Sequence, residues 1–274
     1  MNGIALSNDN GKSWYLPKNQ PFTQRGYGRC AYDGSKIVMG GNQDIAYSTD
    51  AGNSWTAIGF TALNLVYKII YIAGTKMWFA VGTNGSIGSS QNVSTIARST
   101  DGINWSMISQ SVFDYGECYD IIYNGSVYVA LGFGSQYSMQ TSVDAITWNP
   151  NTSFILNNAG NSNTQRGNCI FNDGSRYILG CDFAYNDINN PLTNIFVSND
   201  GITWDRSVNR YVPFHIMSIA YNKIDTYVIV GYERGNIGCT IFYYYSNDLI
   251  TFTKANGNNL LSFQNNLVVW DGIN

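Results

Sequence analysis

The sequence has 274 residues, a formal net charge of −3 at pH 7, and charged side chains at only 12% of positions, about half the usual share. Its 15 lysines and arginines form no run or stripe, which argues against nucleic-acid binding through phosphate contacts. No apolar stretch approaches the roughly 20 residues that span a bilayer, so we expect no membrane insertion.

The chain starts with MNGIALSNDNGKSW, which reads directly into a strand and a hairpin. This start has neither the basic n-region nor the apolar h-region of a signal peptide. We therefore expect a cytoplasmic or particle-associated protein rather than a secreted one, or else a mature or excised part of a longer chain.

One short pattern returns six times along the chain: a serine, an aspartate two residues later, and an aromatic residue that closes the unit. An aspartate in such a place accepts hydrogen bonds from the backbone of its own turn, and a following glycine permits a positive φ. We therefore expect the six aspartates to be structural, and neither catalytic nor calcium-binding. They are Asp9, Asp50, Asp101, Asp144, Asp200 and Asp248, and the closing aromatics are Trp14, Trp55, Trp105, Trp148, Trp204 and Phe252.

The pattern resembles the Asp-box, or BNR repeat, S/T-x-D-x-G-x-T/S-W, which is known from sialidases, sortilin-like receptors, some endoglucanases and photosystem assembly factors. The first two copies have the full length, and the last four are one residue shorter. The copies at Asp144 and Asp248 also lack the glycine, so we expect tighter turns there. The resemblance covers nearly the whole chain and implies a sialidase-like β-propeller.

An alternating β run precedes each copy, for example CAYDGSKIVMGG at 30–41 and NCIFNDGSRYILGCD at 168–182. Each unit reads as strand A, a tight DG or NG turn, strand B, a variable loop, strand C, the Asp turn and strand D. Four antiparallel strands per repeat form the blade of a propeller, and no segment shows helical periodicity. The sequence therefore predicts an all-β fold, a six-bladed β-propeller in one domain over residues 1–274.

The ring closure follows from the spacing of the aspartates, which lie 41 to 56 residues apart, about one four-stranded blade each. The chain begins at strand C of a blade and ends in NNLVVWDGIN, which looks like strand A and its turn. The N- and C-terminal strands would thus share a blade. A strand B of about half a dozen residues is missing from that blade. Either the blade has three strands, or the chain is part of a longer protein and a seventh blade becomes possible.

Hairpin turns alternate ends, so the A–B turns and the Asp turns share one face of the disc. The opposite face carries the long, variable connections, where binding sites on rigid scaffolds are usually placed. The candidate binding residues on this loop-rich face are Arg25, Tyr27, Arg29, Tyr137, Arg166, Tyr185, Arg210, Tyr211, Glu233 and Arg234. Alignment of the first strands also places Arg29, Lys68, Asp120, Asn168, Ser218 and Leu267 around the mouth of the central channel.

The favoured function is a non-catalytic binding or scaffold module that presents this face to a protein or a glycan, with a virion or assembly component among the options. The alternative is a glycoside hydrolase, for which Glu117, Asp120, Asp182 and Glu233 supply candidate carboxylates. A sialidase in particular needs three arginines and a tyrosine–glutamate pair. The RIP-type arginine motif of that family is absent, although Arg25, Arg166 and Arg210 fall on the right face.

Cysteine and histidine usage argues against a metal centre. The five cysteines are widely spaced and lack a CxxC pair, so we expect buried free thiols. His215 is the one histidine, which makes a histidine-based metal site and a nucleophilic triad improbable, and we expect it to be structural. We expect no cofactor.

Overall fold

The computed structural model describes residues 4–9, 12–22, 29–84, 94–109, 111–113, 116–133, 137–153, 166–182, 193–235 and 238–255. These residues contain 19 β-strands and no helix, so the predicted all-β character is confirmed. Within this part of the chain, accordingly, no helix has the length and apolarity to cross a membrane.

The strands fall into five consecutive units, each of which begins with a strand A. Unit I contains β1 (Cys30–Tyr32), β2 (Ile37–Gly40), β3 (Ile45–Ser48) and β4 (Thr56–Ala57), and unit II contains β5 (Leu65–Ile72), β6 (Met77–Thr83), β7 (Ile96–Ser99) and β8 (Ser106–Met107). Unit III contains β9 (Glu117–Tyr123), β10 (Tyr128–Phe133), β11 (Met139–Ser142) and β12 (Asn149–Pro150). Unit IV contains β13 (Gly167–Asn172), β14 (Tyr177–Cys181) and β15 (Ile195–Ser198), and unit V contains β16 (His215–Tyr221), β17 (Tyr227–Gly235), β18 (Gly238–Ser246) and β19 (Thr253–Lys254).

Every unit is an antiparallel meander in chain order, as the repeat predicts. In unit IV the fourth strand is reduced to one bridge, between Val197 and Asp205. Units II and III also share a bridge, between Thr83 and Glu117, which joins them into one eight-stranded sheet. Ahead of unit I, a bridge between Leu6 and Tyr15 flanks the first Asp turn.

In unit V the variable loop that the repeat predicts between strands B and C is largely replaced by paired strand. Strands β17 and β18 pair without interruption from Tyr227↔Ser246 to Gly235↔Gly238, so a hairpin extends beyond the end of the sheet. The apolar and β-branched residues of GCTIFYYY favour continued strand pairing.

The Asp turns bond to themselves. In all six, the serine hydroxyl donates to the aspartate Oδ1 over 2.8–3.0 Å. In the two longer turns the aspartate also accepts from a serine four residues on, as Asp50 does from the amide and hydroxyl of Ser54 at 2.8 and 2.6 Å. In the four shorter turns Oδ1 accepts from two successive backbone amides over 2.7–2.8 Å.

The two turns that lack glycine keep the pattern of the other short turns. Ala145 and Leu249 adopt φ of 58° and 59°, where Gly102 and Gly201 adopt 71° and 74°. Both side chains are buried, at 1% and 0% exposure. Burial of an apolar side chain thus offsets the cost of a left-handed conformation in a non-glycine residue.

Hydrogen bonds between units show that the A–B turns and the Asp turns lie at the same end of the molecule. The ammonium of Lys36, in the β1–β2 turn, donates to the carbonyl of Asp101 in unit II. Asn124, in the β9–β10 turn, donates to the carbonyl of Asp200 in unit IV over 2.6 Å. The strand A residues that precede each first turn therefore enter from the opposite, loop-rich end.

The hydrophobic core is divided into layers between consecutive units. Each layer contains the aromatic that closes an Asp turn of one unit, packed against the preceding unit: Trp148 lies with Phe79, and the Trp204 indole donates to the Met139 sulfur over 3.3 Å. Because the units pack face to face in chain order, their first strands lie side by side.

Candidate functional site

A β-bulge interrupts the first strand of units II to V at the same place. The ladder passes over one residue in each, which is left opposite no partner: Tyr67, Tyr119, Asn168 and Met217. A bulge turns its extra side chain away from the regular alternation. All four side chains are half-buried, and they line the loop-rich end of the adjacent first strands.

Close backbone contact at the bulge explains the glycines nearby. A Cβ on Gly82 would lie 1.9 Å from the Leu65 carbonyl oxygen, and one on Gly231 would lie 2.0 Å from the His215 carbonyl oxygen. One glycine per cross-strand pair relieves this crowding. The pairs are Val66–Gly82, Cys118–Gly132, Gly167–Cys181 and Ile216–Gly231. The glycine lies on the second strand in units II, III and V and on the first strand in unit IV.

In units II and III the residue after the bulge bonds to the neighbouring unit. The Lys68 ammonium lies 2.5 Å from Asp120 Oδ1, and Asp120 also accepts from the amides of Ile121 at 2.7 Å and Ile170 at 3.1 Å. Asp120 is fully buried. These bonds tie units II, III and IV together, so the Asp120 carboxylate is a structural group.

The register corrects one predicted channel residue. Cys169, not Asn168, stands at the position of Lys68, Asp120 and Ser218, because Asn168 occupies the bulge. Arg29 lies at the same position in unit I, where its carbonyl accepts from Gly40 N over 3.2 Å. Leu267 lies outside the described residues.

An acidic, basic and aromatic group stands above the bulges in units II to IV. Glu117 is 2% exposed and accepts from the hydroxyls of Tyr67, at 3.3 Å, and Tyr119. The two tyrosine rings stack with centroids 5.7 Å apart and an interplanar angle of 29°. Arg166 Nη1 lies 3.3 Å from the Tyr119 oxygen and 3.9 Å from Glu117 Oε2, and its guanidinium lies 3.9 Å from the centroid of the Phe133 ring.

Burial raises the pKa of Tyr119 well above its ordinary value, and the negative charge of Glu117 adds to this. Burial also disfavours the charged form of Arg166, but its neighbours Tyr119, Asp182 and Glu117 outweigh that effect and raise its pKa. At neutral pH the group therefore holds a protonated tyrosine and a charged arginine.

A second group continues the arrangement into units IV and V. The Asp182 amide donates to the Arg166 carbonyl over 2.8 Å, which places the two residues side by side. Asp182 Oδ1 accepts from Asn168 at 2.6 Å and lies 3.2 Å from His215 Nδ1. The His215 ring stacks on Tyr232 with centroids 5.1 Å apart. We call the combined set the mouth cluster: Tyr67, Glu117, Tyr119, Arg166, Asp182, His215 and Tyr232.

The structure brings one predicted binding residue, Arg166, into the mouth cluster. Arg210 is 8% exposed, and both its Nη atoms bond to Asp205 Oδ2 at 3.1 Å, so it holds a connection in place. Tyr211 and Tyr137 are half-buried, and Glu233 is exposed on the β17–β18 hairpin. Arg25, Tyr27 and Tyr185 lie outside the described residues, as does the side chain of Arg234.

Three aromatic members of the cluster were not predicted. Tyr67, Tyr119 and Tyr232 sit within strand runs, where an alternating pattern indicates packing. The bulge that reorients Tyr67 and Tyr119 leaves one sequence signal, a glycine in the facing strand. Among the described residues no three His, Cys, Asp or Glu side chains gather in a group that could hold a metal ion.

Comparison with solved structures identifies the architecture. A GH74 enzyme of Niastella koreensis matches at a TM-score of 0.61 and 14% identity, over 92% of this chain and 42% of that one. An ancestral GH74 enzyme matches at 0.57 and 14%, over 86% and 32%. A nidogen/laminin complex matches at 0.53 and 11%, over 79% and 74%.

The fold is a β-propeller. Units I to V are therefore blades of this propeller, named blades I to V below, and the mouth cluster lies at one end of the first strands of blades II to V. At these identities the likeness concerns the fold alone, and this chain spans less than half the length of the two GH74 chains. No protein-family model and no curated protein sequence matches the chain.

Proposed function

We propose that this chain is a non-catalytic binding propeller that presents its loop-rich face to a glycan or protein partner. In this proposal the six Ser–Asp turns are Asp-box repeats, and six blades close into a ring in which the N- and C-terminal strands share a blade. The same face would serve an assembly or particle component. Five described blades and the hairpin around the first Asp turn support this count.

The bonding of the carboxylates carries the proposal. A glycoside hydrolase needs two carboxyl groups that both reach the scissile bond. Asp120 is fully buried with three donors around it, and Glu117 is 2% exposed and bonded to two tyrosines. The aspartates of the Asp turns are bonded within their own turns at the other end. Of the four candidate carboxylates this leaves Asp182 and Glu233, and Asp182 Oδ1 is already engaged by Asn168 at 2.6 Å and by His215 Nδ1 at 3.2 Å.

One observation favours the hydrolase alternative. The contact of Tyr119 with Glu117, beside Arg166, has the composition of the tyrosine–glutamate pair that a sialidase needs. Two features weigh against it: the raised pKa of Tyr119 holds its proton, and Arg210 is engaged by Asp205 and cannot grip a substrate carboxylate. In the described part of the chain these two features count against a sialidase in particular.

Turnover of glycosides tests the proposal. Purified protein is incubated with chromogenic α- and β-glycosides, a sialoside and a set of β-linked oligosaccharides, with release of aglycone or reducing ends as the readout. We expect no release above that of a protein-free blank. Release by the natural chain that Glu117→Gln or Asp182→Asn abolishes would establish a hydrolase and overturn the proposal.

A further inference from the structure

We propose that the mouth cluster binds a neutral oligosaccharide, with sugar rings on the Tyr67–Tyr119 and His215–Tyr232 pairs and hydroxyl groups bonded to Arg166 and Asp182. This inference rests on the proposed binding function and names its ligand class.

The aromatic pairs are held in place before any ligand arrives. The Tyr67 and Tyr119 hydroxyls are both bonded to Glu117, and the His215 ring is bonded to Asp182 while it stacks on Tyr232. Rings fixed in this way lose little conformational entropy when a ligand binds. All four residues are half-buried, so part of each stays exposed to solvent. The C–H face of a pyranose packs on such a ring surface, as other apolar groups do.

Polar side chains that suit hydroxyl groups lie between the two pairs. Arg166 is 35% exposed at its side chain and Asp182 is 21% exposed, so a planar donor and an acceptor stand next to each other. Sugar hydroxyls both donate and accept, and hydrogen bonds to charged groups are stronger and more directional than neutral ones. The Arg166 guanidinium lies over the Phe133 ring, 3.9 Å from its centroid, and this contact helps to hold it in position.

The charges favour a neutral ligand over an acidic one. The mouth cluster contains one arginine, Arg166, and two carboxylates beside it, Glu117 and Asp182. At the position after the bulge, Lys68 is paired with Asp120, and Arg29 lies at the same position in blade I. With these three residues included, the formal charges of the site sum to zero. A uronate or sialate would bring a further negative charge to a guanidinium that already has two acidic neighbours, and like charges at such distances repel.

The test measures oligosaccharide binding by calorimetry and on an array. Probes are neutral hexaoses of glucose, xylose, mannose and galactose, with galacturonate and sialylated oligosaccharides as the acidic set. We expect binding within the neutral set and weaker or no binding of the acidic set. Tyr67→Ala and Tyr232→Ala should each weaken binding on the order of tenfold, the loss of one ring contact. Tyr67→Phe keeps the ring and should stay within about threefold of the natural chain.

Tyr32→Ala is the matched control, because Tyr32 is 60% exposed at the A–B turn end, where it bonds to the Gly34 carbonyl. Its binding should be unchanged, and urea unfolding of every variant verifies the fold. Should Tyr67→Ala fail to fold, Tyr232→Ala in blade V provides the same test. The inference is overturned if no neutral oligosaccharide binds at millimolar concentration, or if the acidic set binds more tightly than the neutral set. It is also overturned if binding is unchanged in both Tyr67→Ala and Tyr232→Ala. A protein ligand whose binding these two variants abolish, with no sugar binding by the natural chain, would overturn it as well. Turnover of a bound sugar would instead overturn the non-catalytic function and leave the site standing.

Discussion

Replacing Asp120 with asparagine tests whether this buried carboxylate ties the blades together. Its Oδ1 accepts from Lys68 and from the Ile121 amide, and its Oδ2 accepts from the Ile170 amide in the next blade. Asparagine has the same shape but one oxygen. Its NH₂ group must therefore face either the Ile170 amide or the Lys68 ammonium, and at least one buried donor loses its acceptor.

The cost follows from these contacts. A buried N–H left without an acceptor costs about 1–3 kcal/mol, and a hydrogen bond to a charged group contributes about 1.5–3 kcal/mol, part of which a neutral amide oxygen retains. We therefore expect the free energy of unfolding to fall by about 2–4 kcal/mol. Domain stabilities are typically about 5–15 kcal/mol, so the variant should still fold.

Urea unfolding at neutral pH, followed by tryptophan fluorescence, measures the difference. The control is Asp225→Asn, because Asp225 is exposed and bonds only to nearby turn residues among those described. We expect it to change the free energy of unfolding by less than about 0.5 kcal/mol. If Asp120→Asn matched the control, the bonds between blades would not be stabilising and the structural role of Asp120 would be refuted.

Three further predictions concern the bulge, the Asp turns and the thiols. Gly82→Ala should lower the free energy of unfolding by roughly 1–3 kcal/mol or more, because its Cβ would lie 1.9 Å from a backbone oxygen. Gly74→Ala, with open space around the new Cβ, should change the free energy of unfolding by less than about 1 kcal/mol. Equal effects of the two variants in urea unfolding would contradict the crowding at Gly82. Hydrogen bonds, the largest effect being that of the Ser54 hydroxyl, lower the pKa of Asp50 from 3.8 to about 2. The stability that Asp50 contributes is therefore present above its unfolded pKa and is lost as pH falls from about 4 towards 2. Asp50→Asn should flatten the dependence of the free energy of unfolding on pH in this range, and an unchanged slope would count against the bonds. Cys30 is exposed, and although partial burial raises the pKa of its thiol, it should react with Ellman's reagent at about pH 8 in the folded protein. Burial raises the pKa of the Cys169 thiol to about 12 and should protect it from the reagent until the protein unfolds. Labelling of Cys169 under native conditions, detected by mass spectrometry, would contradict this.

The parts of the fold that sequence predicted are those with local causes. A Ser-x-Asp turn is closed by bonds within a few residues, so each copy announces itself, and the β runs between copies set the four-strand unit. The propeller fold follows from their repetition. The thiols show the limit of the same reasoning: Cys118, Cys169 and Cys181 are buried and free as predicted, but Cys30 is exposed because its short strand lies in a less covered part of blade I.

The site residues could not be predicted in the same way, because their positions depend on contacts between blades. Arg210 has the sequence context of a loop arginine, yet its exposure is set by Asp205, five residues away, and by the connection that folds over both. Tyr232 looks like one more strand aromatic, and its role depends on His215 in the paired strand. Arg166 combines a loop position with partners that leave it partly exposed.

The bulge gives the scaffold and the candidate site a common origin. In blades II and III two successive residues at the bulge contact the neighbouring blade. Tyr67 and Tyr119 join the mouth cluster, and the next residues, Lys68 and Asp120, bond to each other across the blades. The positions of the Tyr67 and Tyr119 side-chain rings therefore depend on the ion pair between Lys68 and Asp120. A ligand that needs both tyrosines in one geometry should bind less tightly to Asp120→Asn even though Asp120 does not reach solvent. Such a loss, alongside a still folded chain, would show that rigidity between blades is part of the binding site.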